Sequence, residues 1–237
     1  MSVEVTLGKR QLQAEALLPM LSGHNIWSQL MPAIVIDQAL RTLNCTVGET
    51  EAYYSEQIAA DGDFIEKKKA QMVREGTRED DLDFFISRPV LLAQFKEKMF
   101  APQVGSTFLK LKAGLDKVVF LMLRNKDHEL LRELYFRIES SEEMFEPLAA
   151  RYAEGSEATG GGRIGPIEIR QLNPSLARVL STAKVGVVNP PAFIEGVGVI
   201  TRLQEHISAK LDDAMKQKLI DQLFNEWVNN EVQSFFY

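Results

Sequence analysis

Two neighbouring stretches decide the fold of the second half of the chain: Phe145-Glu146-Pro147-Leu148-Ala149-Ala150-Arg151-Tyr152 and, after a loop of small residues, Gly160-Gly161-Gly162-Arg163-Ile164-Gly165-Pro166-Ile167. The apolar residues of the first stretch recur at the spacing of one helix face. The second stretch leads from a glycine-rich loop into a short apolar strand. Further upstream, Lys117–Arg124 is a continuous aliphatic run, typical of a strand covered on both faces. A domain of mixed helices and strands is therefore predicted here.

The other elements of this domain follow from helical spacing and turn residues. Ser140-Ser141 is predicted to cap the helix that holds the first stretch, with Met144 facing inward. Asn189-Pro190-Pro191 is predicted to separate the last two strands. The predicted order is β-α-α-β-α-β-β, with strands at Lys117–Arg124, Arg163–Ile167, Val185–Val188 and Gly196–Leu203, and helices at Asp127–Ser140, after Ser141 and at Pro174–Ala183.

The first half of the chain has helical periodicity up to about Gly114. Thr46-Val47-Gly48-Glu49 fits a capping box at a helix start. Separate helices are predicted at Asp81–Ile86, Pro89–Phe100 and Gln103–Ala113, and a long apolar helix at Leu211–Phe235. Because the apolar stripe of that last helix needs a partner, we expect it to pack back on the first half. The fold class is therefore α+β, with a helical domain at 1–114, a mixed domain at 115–207 and a helix at 208–237 that completes the helical domain.

Composition excludes several classes of protein and site. The 237 residues carry 27 basic and 33 acidic side chains, so no basic surface favours a nucleic-acid partner. One cysteine and three histidines argue against disulfides and zinc, and neither a metal nor a cofactor is predicted. The apolar runs are too short for a membrane span. The first residues lack a basic segment followed by an apolar one, so we expect a cytoplasmic protein.

Five segments taken in order resemble the parvulin-type (PpiC-like) peptidyl-prolyl cis-trans isomerases, over about Lys117 to Glu205. They are the two stretches quoted first, Leu172-Asn173-Pro174-Ser175-Leu176, Val185-Gly186-Val187-Val188-Asn189-Pro190-Pro191 and Val199-Ile200-Thr201-Arg202-Leu203. The helical first half is similar to the chaperone arm of SurA-like and PrsA-like foldases. Ile36-Asp37-Gln38-Ala39-Leu40, followed by Thr46 and Glu49, carries that likeness.

The resemblance implies rotation about X-Pro peptide bonds of client polypeptides. That rotation has a barrier of about 18–20 kcal/mol because it breaks amide resonance. No bond to a protein atom needs to form, so the reaction requires neither an activated nucleophile nor a metal. The expected partners are proline-containing or unfolded polypeptide segments.

The resemblance also implies site residues. Leu172 and Leu176 fall at the positions of the family's apolar proline pocket, and Phe193 lies close by in sequence. Phe120 and either Gly198 or Val199 stand at the two family histidines. Candidate substrate-binding residues are therefore Phe120, Leu172, Leu176, Phe193 and Val199. The family's Cys or Asp falls at Glu154 or Gly155, which makes Glu154 the candidate catalytic group.

None of His24, His128 and His206 aligns with a family histidine; we expect His128 and His206 at the surface. Two hypotheses follow. The first is an isomerase-like foldase or chaperone with a degenerate site and weak catalysis. The second is a non-catalytic adaptor that uses the domain to hold one dedicated partner. The apolar candidates could also be ordinary core residues, and Glu154 an ordinary solvated residue.

Overall fold

The structure, a computed structural model, describes residues 4–7 and 10–234. The chain forms two compact units. One, here called the helical unit, comprises Met1–Val104 and Asp213–Tyr237; the other, the sheet unit, comprises Gly105–Asp212. The sequence predicts domain limits at 114 and 207. These limits remain a prediction, and the two units described here are divided at slightly different residues.

The helical unit begins with a small antiparallel ribbon and continues as helices. The capping box is confirmed: the Glu49 backbone N–H donates to Thr46 Oγ1 at 3.2 Å, and the Thr46 N–H donates to Glu49 Oε2 at 2.8 Å. The elements are β1 (Glu4–Leu7), β2 (Arg10–Gln13), α1 (Ala14–Gly23), α2 (Trp27–Leu40), α3 (Val47–Tyr53), α4 (Ser55–Ala60), α5 (Phe64–Arg74), a 3-10 turn (Glu79–Asp81) and α6 (Leu82–Leu115), whose residues from Gly105 onward belong to the sheet unit.

Helix α6 corrects one prediction. The three helices expected between Asp81 and Ala113 are one helix of 34 residues with Pro89 and Pro102 inside it. A proline inside a helix costs about 3 kcal/mol because it removes a hydrogen bond and crowds the preceding turn. Here the helix continues because one face is buried along its length by Ile86, Leu91, Phe95, Phe100 and Val104.

The last helix, α10 (Asp213–Ser234), packs within the helical unit, as the sequence predicts. Its Phe224 and Trp227 contact Phe95 and Phe100 of α6, with ring centroids 5.0 to 6.5 Å apart. Its Asp221 accepts a hydrogen bond of 2.9 Å from Lys96. Phe235, the predicted end of this helix, lies outside the described residues. In the part of the chain that the structure describes, no helix is both long and apolar enough to cross a membrane.

The sheet unit has the predicted order β-α-α-β-α-β-β. Its four antiparallel strands lie in the order β4-β3-β6-β5, so β3 and β6 are central. The elements are β3 (Lys117–Asn125), α7 (His128–Glu139), α8 (Phe145–Tyr152), a 3-10 turn (Ser156–Gly160), β4 (Arg163–Glu168), a second 3-10 turn (Ile169–Gln171), α9 (Pro174–Thr182), β5 (Val188–Ile194) and β6 (Val197–Ile207).

The sheet carries a separate apolar core on each face. β3 supplies both, because successive side chains of a strand point to opposite faces and Val118 to Leu123 are all buried. The α7 face holds Leu121, Leu123, Leu131, Leu134, Ile138, Phe145, Leu148, Ala149 and Ile200. The α9 face holds Val118, Phe120, Met122, Ile169, Leu176, Leu180, Val199 and Leu203.

Two local predictions are wrong. Strand β5 includes Asn189-Pro190-Pro191 instead of ending before it. β5 is an edge strand, where a missing N–H is tolerated, and its pairing with β6 is irregular between Asn189 and Ala192. The helix cap at Ser140-Ser141 is absent as well.

The serines instead end the preceding helix. Ser140 Oγ donates back to the Phe136 carbonyl at 2.8 Å, and Ser141 has a φ of 60°. The N-cap of α8 is Met144, which is 74% exposed rather than inward.

Candidate functional site on the α9 face of the sheet

The α9 face presents the candidate residues because of the pairing between β3 and β6. Phe120 pairs with Leu203, Met122 with Thr201 and Arg124 with Val199. Side chains of paired residues lie on the same face, so β3 carries Phe120, Met122 and Arg124 in a row towards its end. Leu176 of α9 and Leu172, just before α9, pack on the same cluster. The result is an apolar floor with a charged group at one end.

Four of the five predicted substrate-binding residues come together in this cluster. They are Phe120, Leu172, Leu176 and Val199. Phe120 is fully buried and fills the interior, whereas Leu172 is only half-buried. Of the four, Leu172 is therefore the one most open to a ligand.

Phe193, the fifth predicted residue, does not lie with the others. Its ring contacts His128 of α7 at a centroid distance of 4.6 Å, and its side chain is 63% exposed. It pairs with Gly198, whose Cα faces Leu131 of the α7-face core. The alternation along β5 therefore places Phe193 on the opposite face of the sheet.

Glu154, the candidate catalytic residue, is exposed in the loop after α8. Its backbone N–H donates to the Arg124 carbonyl at 3.0 Å. The carboxylate that the structure brings to the site belongs instead to Glu157, in the 3-10 turn that follows. Sequence reasoning missed Glu157, since the pairing with Arg124 spans 33 residues and leaves no local pattern.

Arg124 and Glu157 form a two-pronged ion pair beside the apolar floor. Arg124 Nε donates to Glu157 Oε1 at 2.8 Å, and Nη2 donates to Oε2 at 2.6 Å. The Glu157 side chain is 2% exposed and the Arg124 side chain 41% exposed. Such a geometry fixes the guanidinium plane and leaves its other N–H groups toward solvent.

The protonation of Glu157 reflects two opposing influences. Burial, the largest of them, acts to raise its pKa, because it penalises the charged form. The hydrogen bonds and the charge of Arg124 act in the other direction, and the net pKa of Glu157 lies below its ordinary value. The same hydrogen bonds raise the pKa of Arg124. The pair is therefore fully charged at neutral pH.

Two glycines leave the space that the Arg124–Glu157 ion pair and the adjoining loop occupy. A Cβ at Gly155 would lie 2.1 Å from both Arg124 Nη2 and Glu157 Oε2. At Gly162, where φ is +85°, a Cβ would lie 2.6 Å from the Met122 carbonyl oxygen. The Gly162 N–H donates to the Glu157 carbonyl, and the Gly162 carbonyl accepts from Met122 N–H, both at 2.8 Å. The glycine-rich loop thus fixes the position of Glu157 against β3.

Two further polar pairs border the apolar floor. Thr201, which is 3% exposed, accepts a hydrogen bond of 3.0 Å at Oγ1 from Asn189 Nδ2. Asn173, the N-cap of α9, donates to Glu195 at 2.7 Å.

The three histidines lie elsewhere. His24 follows α1, exposed His128 begins α7, and His206 lies in β6 with Nε2 3.5 Å from Asp116 Oδ2. The surface positions expected for His128 and His206 are confirmed, although His206 lies inside the strand and not beyond it. Within residues 4–7 and 10–234, no cluster of His, Cys, Asp or Glu side chains has a metal-binding arrangement.

Comparison with known proteins agrees with this geometry. Residues 123–205 match the rotamase family described as the PPIC-type PPIase domain. No curated protein matches the chain in sequence.

Three solved structures align with nearly all of the chain. The peptidylprolyl isomerase PrsA of Bacillus cereus is 17% identical over 98% of this chain and 89% of its own, with a TM-score of 0.52. The foldase protein PrsA of Streptococcus pneumoniae is 13% identical over 100% and 94%, with a TM-score of 0.46. A SurA-like chaperone of Campylobacter jejuni is 15% identical over 100% and 97%, with a TM-score of 0.36. Residues 123–205 therefore match the PPIC-type peptidyl-prolyl isomerase domain, within a chain that shares the fold of the Bacillus cereus PrsA structure.

Proposed function

We propose that the protein is a foldase or chaperone whose sheet unit binds proline-containing or unfolded segments of client polypeptides at the α9 face. The observation that carries the proposal is the apolar cluster around Leu172, Leu176 and Val199, bordered by the Arg124–Glu157 pair, inside a segment of the PPIC-type family. A proline ring would lie against half-buried Leu172, and the free N–H groups of Arg124 would donate to a peptide carbonyl.

Rotation about an X-Pro peptide bond requires few chemical groups in the site. Amide rotation needs an environment that favours the twisted peptide bond over both planar forms, and each tenfold acceleration requires about 1.4 kcal/mol of such preference. Apolar surface weakens the solvation of the planar, more polar amide. Arg124, held by Glu157, offers a fixed donor without reorganisation.

We propose that catalysis is weak and that binding dominates. Phe120 occupies the interior position where the family has a histidine, and its ring is fully buried. Val199 and Gly198 supply no polar side chain at the second position. Glu154 is exposed and is not a member of the α9-face cluster. The site therefore retains apolar contact and one donor but no imidazole.

Exchange NMR on a short peptide that contains an X-Pro bond tests the proposal directly. Binding should broaden or shift the peptide resonances, with at most a slight increase in the cis-trans exchange rate. Leu172→Ala should weaken binding several-fold, whereas Val185→Ala, at a more exposed position of the sheet unit (59% exposed) outside the α9-face cluster, should not. Absence of peptide binding would overturn the proposal, and robust exchange enhancement would overturn the weak-catalysis part.

An aggregation assay separates a chaperone from an adaptor. A chaperone should suppress the aggregation of several unrelated unfolded proteins at near-stoichiometric amounts. An adaptor for one dedicated partner should suppress none of them. Leu172→Ala and Val185→Ala provide the same matched pair in this assay.

A further inference from the structure

One side chain, that of Asp116, fastens the segment that follows β6 to the start of β3. Oδ1 of Asp116 accepts a hydrogen bond of 2.8 Å from the backbone N–H of Ala209, 93 residues later in the chain. Asp116 comes directly before β3, and Ala209 lies in residues 208–212, here called the exit segment, between β6 and α10. The contact therefore joins the residue before the first strand of the four-stranded sheet to the segment after its last strand.

The backbone of Asp116 is held independently of the exit segment. Its N–H donates to the Lys112 carbonyl in the last turn of α6 at 3.1 Å. Its carbonyl accepts from the Ile169 N–H, at the end of β4, at 2.9 Å. Because neither bond involves residues 208–212, the fold fixes the position of the Asp116 carboxylate whether or not the exit segment is bound.

The Asp116 carboxylate needs the donor that Ala209 supplies. Its side chain is 12% exposed, and a carboxylate so far removed from water requires hydrogen bonds in its place. Two side-chain nitrogens lie near it at longer distances, Lys112 Nζ at 3.7 Å and His206 Nε2 at 3.5 Å. Both of these side chains are partly exposed, so water screens their attraction. The Ala209 N–H, at 2.8 Å, is the closest of the three donors.

The exit segment buries little surface of its own. It has no regular secondary structure, and its residues are exposed except for Ala209, which is half-buried. A segment with few buried apolar contacts opens at a low cost in free energy compared with a core strand. A fixed acceptor therefore faces a segment that can leave it.

We propose that Asp116 and Ala209 form a clasp, through which the exit segment opens and closes while the four-stranded sheet stays folded. In the closed state the Ala209 N–H satisfies the Asp116 carboxylate. In the open state water replaces that donor, and the exit segment is extended and accessible. The proposal does not rest on the proposed function, because Leu172, Leu176 and Arg124 of the α9 face take no part in it.

Cleavage by trypsin after Lys210 measures the opening in the full chain, since proteolysis of a transiently opened segment follows the population of its open state. Mass spectrometry of the fragments 1–210 and 211–237 quantifies the cut. D116A should raise the cleavage rate about tenfold, the lower end of the effect of a hydrogen bond to a charged group. D116N retains an oxygen that can accept from Ala209 and should raise the rate by less than about threefold.

D127A is the matched control for D116A. Asp127, the N-cap of α7, also accepts backbone N–H groups, from Glu129 and Leu130 at 3.0 Å each. The control therefore removes an aspartate of the same hydrogen-bonding role from another part of the sheet unit. It should leave cleavage after Lys210 at the rate of the parent protein.

Amide exchange by NMR provides a readout that needs no variant. In the parent protein the Ala209 amide should exchange at least about tenfold faster than the central amides of β3 and β6, because the clasp opens without unfolding of the sheet. Exchange of all these amides at one common opening free energy would overturn the proposal. So would unchanged cleavage in D116A, or an equal acceleration by D116A and D127A, since Asp116 would then only support the sheet as a whole.

Discussion

The two faces of the four-stranded sheet are packed differently. On the α7 face, two helices cover the strands, and Leu123, Leu131, Leu134, Phe145 and Ile200 have no exposed surface. On the α9 face, one helix and a short 3-10 turn cover the same strands, and Met122, Ile169 and Leu176 keep 7 to 8% exposure. A buried carboxylate, Glu157, paired with the half-exposed Arg124, borders the second core.

This difference separates a structural face from one that is open to a ligand. A fully covered apolar core contributes stability in proportion to the surface it removes from water. A partly covered one forgoes some of that stability and leaves apolar surface next to hydrogen-bonding groups, which is the composition of ligand sites. The α9 face has this composition, and Glu157 gives it a fixed charge pattern.

Adjacent residues of β3 provide the strongest test of the contrast. Leu123→Ala, on the α7 face, should destabilise the sheet unit by about 3 kcal/mol, because it opens a cavity in a core without exposed surface. Met122→Ala, on the α9 face, should cost at least about 1 kcal/mol less, since its site is already partly open. Only Met122→Ala should weaken X-Pro peptide binding.

Hydrogen exchange of the β3 amides is the suitable measurement for this pair. Both tryptophans, Trp27 and Trp227, lie in the helical unit, so fluorescence would follow the other unit. Exchange by NMR reports the opening free energy of each strand amide. Equal destabilisation by the two substitutions, or weaker peptide binding in Leu123→Ala alone, would contradict the contrast between the faces.

The ion pair gives the next largest effect. Arg124→Met leaves the buried Glu157 carboxylate without its partner and should destabilise the sheet unit by about 2 kcal/mol at pH 7, less than for a fully buried pair because Arg124 is half-exposed. Amide exchange in the glycine-rich loop, at Gly162, should show it first. The double variant Arg124→Met/Glu157→Gln removes the charge as well and should recover much of the loss.

The pH dependence of the same variant should change sign. In the parent protein the folded pKa of Glu157 is below its ordinary value of 4.5, so its contribution is present above that value and is lost as pH falls through the folded pKa. Without the Arg124 side chain, burial, the largest influence on Glu157, is opposed only by backbone hydrogen bonds, so the pKa of Glu157 should rise above its ordinary value. Arg124→Met should therefore gain stability from pH 7 to pH 5, where the parent stays level. A flat profile for Arg124→Met would show that Glu157 is not desolvated.

The smallest effect is expected at Phe193, which the resemblance placed in the substrate site. Since its ring lies on the α7 side against His128, Phe193→Ala should leave X-Pro peptide binding within about twofold and cost no more than about 1 kcal/mol. Titration of the labelled peptide followed by NMR measures both affinity and the location of shifts. If Phe193→Ala weakened X-Pro peptide binding as much as Leu172→Ala does, Phe193 would have to be part of the substrate site.

Much of the sheet unit could be predicted from its sequence because its signals are local. The apolar run Lys117–Arg124 and the proline-started helix at Pro174 depend on neighbouring residues alone, and both elements occur as predicted. The errors arise where tertiary context decides. Pro190 and Pro191 suggest an interruption, but an edge strand accepts them, and α6 continues through two prolines because its buried face outweighs their cost.

The candidate site was predictable only in its apolar part. Periodicity and family resemblance bring Phe120, Leu172, Leu176 and Val199 to one cluster, since alternation along a strand is a local rule. The face of Phe193 depends on the irregular pairing of β5, which no local pattern shows. Sequence reasoning selected Glu154 and overlooked Glu157. The partner of Glu157, Arg124, is far away in sequence, and only the fold brings these two side chains together.

The return of α10 to the helical unit has a consequence for the order of synthesis. Phe95 and Phe100 of α6 reach their aromatic partners Phe224 and Trp227 only after the whole intervening sheet unit has been translated. The sheet unit, continuous in sequence, can fold on the ribosome while the first part of the helical unit still waits with an uncovered aromatic surface. A nascent chain stalled before Asp213 should accordingly expose that surface and recruit other chaperones, so the protein would itself begin as a client.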